Sequence, residues 1–213
     1  MNSPNLTEQL KYIITHHLPG EDAHLPMSPV GRGKSSEALA NATDYRQSAV
    51  AIILFKSQEE YRIILTQRVA YEGTHGGQIS FPGGRKEEED KDFSDTAIRE
   101  TYEEIGIQLR SDLLIGKLTD VFIPVSSFLV HPYVFFYDKD PVFTNNYEVS
   151  ETFSISITDL LAKSSISVMD IIVGNNFKMK VPCFRINQKE IWGATAIMLN
   201  ELKEIIKRAL GIY

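Results

Sequence analysis

The feature that most constrains this chain is a glycine-containing turn followed at a short distance by an acidic helical segment. Residues 81–107 read FPGGRKEEEDKDFSDTAIRETYEEIGI. At about 100° of rotation per helical residue, Glu100, Glu103 and Glu104 fall within one wedge of about 100°. Carboxylates this close repel one another unless a cation compensates their charge. The spacing therefore predicts a site for Mg²⁺ or Mn²⁺, which prefer oxygen ligands.

This segment resembles the Nudix box, the signature motif of the Nudix hydrolases. Gly84 matches the first position of the box, and the matches in its last part are Arg99, Glu100, Glu103, Glu104, Gly106 and Ile107. There are also departures from the pattern. Asp90 takes the place of the first glutamate, Thr101 stands where a hydrophobic residue is usual, and the spacing from Gly84 to Arg99 is one residue longer than in the pattern.

The lengthened box and the segment before it resemble the coenzyme A pyrophosphatase branch of this family. Residues 65–68 (LTQR) lead to residues 77–84 (GQISFPGG), which is similar to a second signature of that branch. Gly73 stands where that signature has an arginine. Further similar stretches are residues 127–132, 148–151 and 191–196. In total the resemblance covers about residues 46–212.

The resemblance implies a metal site and a mechanism. Glu100, Glu103 and Glu104 would bind the metal together with the carbonyl oxygen of Gly83, and Arg99 would orient one of the box carboxylates through a bidentate bond. Bound metal would orient the attacking water, lower its pKa and stabilise negative charge on the transferring and leaving oxygens.

The general base and the substrate contacts are less sharply defined. The candidates for the base are Glu100 in the box and Glu148 or Glu151 outside it, whereas Asp90 is expected to act only indirectly. The base must lie within reach of the attacking water, which is a geometric question. The residues expected to contact substrate are Arg68, Gly77 and Gly84.

The activity that the resemblance implies is hydrolysis of coenzyme A, or of an acyl or oxidised form, to 3′,5′-ADP and a 4′-phosphopantetheine product. Coenzyme A carries an additional 3′-phosphate, which an arginine or lysine would normally bind. Arg68 is the first candidate for that contact, followed by Arg32 and Lys34.

Two alternative functions stay open at this stage. Because Gly73 replaces the expected arginine, the substrate could be ADP-ribose, a dinucleotide or a nucleotide sugar. A non-catalytic module that senses a nucleotide is the third possibility. Such modules commonly lose box carboxylates, whereas this chain keeps Glu100, Glu103 and Glu104.

Composition excludes several other classes of protein. The net charge of −6 over 213 residues argues against binding to duplex nucleic acid. The single cysteine, Cys183, cannot form an intramolecular disulfide. The first residues lack the pattern of a signal peptide, and no apolar run approaches about 20 residues. We therefore expect a cytoplasmic protein without a membrane partner, either a monomer or a homodimer.

The chain is expected to form a single domain over residues 1–213, with an N-terminal helix and a connecting segment in about residues 1–45. Helices are predicted at residues 5–18, 93–105 and 195–210, with a helical turn at 158–163. Strands are predicted at residues 47–55, 62–67, 78–81, 113–122, 130–137, 178–186 and 190–191. This alternation predicts an α/β or α+β sandwich, and the resemblance narrows it to an α/β/α sandwich with a mixed β-sheet.

Overall fold

A computed structural model describes residues 5–70, 76–173 and 177–212 of the chain. Its larger sheet has eight strands, and the order along its main path is β3-β2-β1-β7-β5. Strand β4 also pairs with β1, β6 with β7, and β8 with β2. The bounds are β1 Arg46–Ser57, β2 Glu60–Arg68, β3 Ile79–Ser80, β4 Gly83–Arg85, β5 Leu114–Lys117, β6 Val121–Ile123, β7 Phe128–Tyr137 and β8 Val149–Ser156. Strands β1 and β7 are parallel and the other pairs antiparallel, which confirms the mixed sheet.

A smaller antiparallel sheet and five helices complete the described part of the chain. The strands of the smaller sheet are β9 Ile166–Val173, β10 Phe177–Ile186 and β11 Lys189–Trp192. The helices are α1 Leu6–His16, α2 Ser35–Ala40, α3 Phe93–Ile105, α4 Ile157–Leu161 and α5 Gly193–Ala209. Within residues 5–70, 76–173 and 177–212, none of these helices is long and apolar enough to cross a membrane.

The larger sheet lies between two helical layers. Both faces of its strand β1 carry apolar side chains that these layers bury. Ala51 and Ile53 of β1 belong to the hydrophobic cluster that includes Ala97 of α3. Their neighbour Ile52 belongs instead to the cluster on the opposite face, which includes residues of α1 and α5 such as Leu202. Because successive strand residues point to opposite faces, one apolar strand can bury both faces. The predicted α/β/α sandwich is thus confirmed.

The structure also corrects the predicted strands. Residues 113–122 do not form one strand, because β5 and β6 are separated by residues 118–120. There the backbone N–H and hydroxyl of Thr119 donate to the buried carboxylate of Glu201, at 3.1 and 2.6 Å. Glu201 also accepts hydrogen bonds from the backbone N–H of Gly20 and from the His24 ring, which ties the connecting segment to α5. The requirement to satisfy a buried charge interrupts the strand. Three strands, β4, β8 and β9, were not predicted at all.

Helix α3 has the predicted bounds because both of its ends are chemically specified. The Asp92 carboxylate accepts hydrogen bonds from the backbone N–H groups of Ser94 and Asp95, at 2.7 and 3.1 Å. At the other end Gly106 adopts a left-handed conformation with φ 73°, and its N–H donates to the Tyr102 carbonyl. The helix that carries the acidic residues therefore begins and ends at fixed positions.

We expect Asp92→Ala to lower the free energy of unfolding by about 1 kcal/mol, because two backbone donors lose their acceptor. Asp92→Asn keeps a side-chain acceptor, so its free energy of unfolding should fall clearly less. Urea denaturation of both variants and of the wild type measures the difference. Equal losses in the two variants would show that the cap does not stabilise the helix.

Candidate functional site

The site is built where the Gly83–Gly84 turn approaches both β1 and α3. A Cβ atom on Gly83 would lie 2.3 Å from the Ala49 carbonyl oxygen, and one on Gly84 would lie 2.3 Å from Oε1 of Glu100. No residue larger than glycine fits without moving its neighbours. The Gly83 N–H also donates to Oε2 of Glu104 at 3.1 Å. The turn and the acidic face of α3 are therefore in direct contact.

The three box carboxylates differ in environment although they share one helical face. Glu104 is buried against the sheet, Glu100 is partly buried, and the side chain of Glu103 is 51% exposed. The pKa of Glu104 is raised to about 7, chiefly by burial. The Gly83 N–H and Arg68 oppose this rise, and the negative charges of Glu100 and Glu148 add to it. Burial likewise raises the pKa of Glu100. Cation binding at this face would favour the charged form of both groups.

Arg99 holds the exposed side of this cluster together. It forms a bidentate ion pair with Asp90, with both N–O distances 3.0 Å. Its Nη1 atom donates to Glu100 at 3.1 Å and to Glu103 at 3.3 Å. The bidentate bond expected between Arg99 and a box carboxylate is thus made to Asp90, while Glu100 and Glu103 receive single bonds.

Asp90 is itself held by two further donors, neither of which was predicted from the sequence. Its Oδ2 atom accepts from the Thr96 hydroxyl at 2.8 Å and from the Glu87 N–H at 3.0 Å. The pKa of Asp90 is lowered to about 2, and the hydrogen bonds from Arg99 make the largest contribution. Thr96 lies in the first turn of α3. In the sequence, only its position six residues after Asp90 indicates this contact. Asp90 therefore orients Arg99, in line with an indirect role.

Arg68 connects the buried side of the cluster to Glu148. Its guanidinium lies 3.1 Å from Glu148 and 3.7 Å from Glu104. The loop before Glu148 is attached to the C-terminal end of α3, because the Asn146 N–H donates to the Glu104 carbonyl at 2.9 Å. The structure thus brings Glu148 beside the box carboxylates, and it places Arg68 between acidic groups.

Glu151 lies on the other face of the sheet. It is paired with Lys189 of β11, which also donates to the side chain of Gln67 at 2.9 Å. The register of β2 with β8 shifts between Gln67 and Arg68, so that Glu151 is opposite Gln67 while Val149 is opposite Arg68. Glu148 and Glu151, which sequence reasoning treated as equivalent, therefore have different partners: Arg68 for Glu148 and Lys189 for Glu151.

A cleft of about 490 Å³ borders the site on the side of the smaller sheet. It is lined by residues of the β2–β3 region and of β9–β11, including Gln67, Gly77, Met169, Lys189 and Trp192. Trp192, at the end of β11, thus borders this cleft. Because Gln67 faces the cleft and the adjacent Arg68 faces the acidic cluster, the two features meet at the end of β2.

The remaining candidates lie elsewhere or outside the described residues. Arg32 donates to the Phe122 carbonyl at 2.6 Å, and Lys34 pairs with Asp22 at 2.9 Å on the surface. Thr101, at the usually hydrophobic box position, is buried and donates its hydroxyl proton to the Ala97 carbonyl. Gly73 lies in residues 71–75, outside the described part of the chain.

We expect Asp90→Asn to destabilise the protein in a pH-dependent way. The pKa of Asp90 falls from 3.8 to about 2 on folding, so its charged form stabilises the fold above pH 4. That contribution should disappear as the pH falls from about 4 to about 2. The measurement is the unfolding free energy of wild type and variant between pH 7 and pH 2. A difference that stays constant over this range would contradict the ion pair.

Comparisons with known proteins agree with this geometry. The family model of the NUDIX domain matches residues 45–166. The chain is 31% identical over 143 residues to the mitochondrial coenzyme A diphosphatase NUDT8 of Homo sapiens; the match covers 66% of the chain and 60% of that protein. It is 27% identical over 169 residues to the uncharacterized Nudix hydrolase NudL of Photorhabdus laumondii, covering 78% of the chain and 88% of that protein. This chain thus spans less than two thirds of the length of the human relative.

A solved structure supports the fold alone. The MutT/nudix family protein from Enterococcus faecalis superposes with a TM-score of 0.55 at 13% identity, covering 85% of this chain and 76% of that one. At such low identity the similarity concerns architecture rather than substrate. The family assignment rests on the match to the NUDIX domain model. That match spans more than half of the chain and contains the whole glycine turn and acidic helix. The chain therefore belongs to the Nudix hydrolase family.

Proposed function

We propose that this protein is a divalent-metal-dependent pyrophosphohydrolase that cleaves coenzyme A or its derivatives to 3′,5′-ADP and a 4′-phosphopantetheine product. The observation that carries the proposal is the contact between the Gly83–Gly84 turn and the carboxylates of Glu100 and Glu104. The similarity to a protein named as a coenzyme A diphosphatase supports the substrate.

The donor set suits Mg²⁺ or Mn²⁺. Glu100, Glu103 and Glu104 supply carboxylate oxygens, and the Gly83 carbonyl is available because its residue has no side chain to obstruct the approach. Among residues 5–70, 76–173 and 177–212, no three acidic, histidine or cysteine side chains are already grouped as metal ligands. Binding through all three glutamates therefore requires Glu103, which is largely exposed, to leave Arg99.

The reaction is attack of water on one phosphorus of the diphosphate, with cleavage of the bond from that phosphorus to the bridging oxygen. Bound metal would supply charge neutralisation of the diphosphate and acidification of the attacking water. The protein positions the carboxylates through Arg99 and Arg68. It also limits water access around Glu104, which strengthens the electrostatic interactions there.

For the general base we favour Glu148 over Glu151. Glu148 lies beside the box carboxylates, is 41% exposed and is oriented by Arg68. Glu151 faces the smaller sheet and is paired with Lys189. Glu100 stays a second candidate, although its contact with Arg99 and its proposed role as a metal ligand leave it less free to accept a proton.

The test of the function is a product assay of the purified protein with coenzyme A, dephospho-coenzyme A, ADP-ribose and dinucleotides, each with Mg²⁺ and with Mn²⁺. We expect Glu103→Gln and Glu104→Gln to lower turnover by at least about 100-fold, because a lost ligand weakens charge stabilisation in the transition state. Glu88→Gln changes an exposed glutamate of the preceding loop and serves as the matched control.

Near-normal turnover in both ligand variants would contradict the metal site. Cleavage of ADP-ribose in preference to coenzyme A would contradict the proposed substrate but not the reaction. Failure to hydrolyse any of these diphosphates with either metal would contradict the proposed function itself.

A second prediction separates the two outer glutamates. Glu148→Gln should lower kcat by about 100-fold or more, the usual size of a general-base contribution, while Glu151→Gln should change it less than about threefold. The measurement is kcat at saturating substrate and metal over a range of pH, because loss of the base should also remove the acidic limb of the pH profile. Equal losses in the two variants would contradict the assignment of Glu148.

A further inference from the structure

Two arginines and one phenylalanine form a surface that the proposed reaction does not use. We name Arg46, Arg85 and Phe128 the arginine–phenylalanine patch. The guanidinium carbon of Arg46 lies 4.2 Å from the centroid of the Phe128 ring, and that of Arg85 lies 5.3 Å from the same centroid. A single half-buried ring thus gathers two exposed cationic side chains.

The positive charge of this patch is not compensated within the described part of the chain. Neither Arg46 nor Arg85 forms an ion pair there, whereas Arg99 and Arg110 each contact a carboxylate at 3.0 Å or less. Two guanidinium groups beside one ring repel each other, and an anion placed near both would relieve that repulsion. The patch therefore has the electrostatic character of an anion site.

Part of the patch is held in place before any ligand binds. The Arg46 guanidinium donates to the Ser126 carbonyl at 2.9 Å, and its backbone N–H donates to the Ser127 carbonyl at 2.8 Å. The contact with the Phe128 ring and this hydrogen bond restrain the guanidinium and leave its other donors free. A planar, oriented guanidinium is well suited to binding phosphate oxygens.

The patch adjoins the site through strand β4. Arg85 directly follows Gly84, and its carbonyl oxygen accepts a hydrogen bond from Arg99 at 2.8 Å. In the sheet Arg85 is paired with Ser48, and Arg46 is paired with Phe128 on the neighbouring strand. A substrate whose diphosphate lies at Glu100 and Glu104 can therefore extend a second anionic group towards the patch.

We infer that the arginine–phenylalanine patch binds a phosphate monoester of the substrate that is separate from the hydrolysed diphosphate. This inference rests on the proposed function, in which that group is the 3′-phosphate of coenzyme A. Of the other basic candidates, Arg68 is engaged by Glu104 and Glu148 and Lys34 by Asp22. Arg32 is partly buried and donates to the Phe122 carbonyl, whereas Arg46 and Arg85 are exposed. The ligand class is a nucleoside diphosphate derivative with an additional ribose phosphate.

The test compares coenzyme A with dephospho-coenzyme A, which lacks only the 3′-phosphate. In the wild type we expect kcat/KM for coenzyme A to be higher by roughly tenfold or more, the size of a charge-assisted contact. Arg85→Ala and Arg46→Ala/Arg85→Ala should remove most of that preference by raising KM for coenzyme A, with kcat and the kinetics of dephospho-coenzyme A nearly unchanged. Arg110→Ala, which removes an arginine paired with Asp112, is the matched control and should keep the preference.

A binding measurement makes the test independent of turnover. The melting temperature of the wild type should rise more with 3′,5′-ADP than with 5′-AMP, and this difference should vanish in Arg85→Ala. The side chain of Arg85 is exposed and forms no ion pair with the described residues, so this single variant should fold normally.

The outcomes separate the inference from the function on which it rests. If the wild type hydrolyses both substrates equally well, or if both substrates lose activity equally in the variants, the patch does not bind the 3′-phosphate. A preference that survives in the double variant overturns the inference in the same way. In each of these cases hydrolysis by the wild type still supports the proposed function, which fails only if no diphosphate is cleaved.

Discussion

The close approach of the Gly83–Gly84 turn to helix α3 is the constraint on which the site depends. The Glu100 carboxylate occupies space that any side chain at position 84 would need, and Glu104 accepts the Gly83 N–H. This contact joins the sheet to the acidic helix at one point. It also exposes backbone beside carboxylates, which is the combination that a hard divalent cation requires. A methyl group at Gly83 would collide with the backbone of β1, and one at Gly84 would displace the Glu100 carboxylate.

Charge in the site is balanced by two arginines with different positions. Arg99 lies on the exposed side and is oriented by Asp90, so that its remaining donor reaches Glu100 and Glu103. Arg68 lies on the buried side and is shared by Glu104 and Glu148. Both arginines hold the acidic groups together against their mutual repulsion. They therefore position the carboxylates, whereas Arg46 and Arg85, which we propose to bind an additional substrate phosphate, form no ion pair within the described residues.

The local parts of the fold could be predicted from the sequence, and the long-range parts could not. Helix α3 was predicted with its observed bounds because Asp92 and Gly106 specify its ends through contacts within a few residues. The prediction of one strand at residues 113–122 was wrong because the strand is interrupted at Thr119, which donates hydrogen bonds to Glu201, a residue distant in sequence. Strand β8 was missed because its residues are largely polar, and its pairing with β2 is what identifies it as a strand.

The sequence by itself determined that Glu100, Glu103 and Glu104 share one face of a helix and that a glycine pair precedes them. These are consequences of helical periodicity and of local chain geometry. Only the tertiary structure decided that Glu104 is buried, that Glu151 pairs with Lys189 of the smaller sheet, and that the loop before β8 brings Glu148 to Arg68 beside the box carboxylates. Burial and strand register depend on packing between segments distant in sequence, and a one-residue shift changes the face on which a side chain lies.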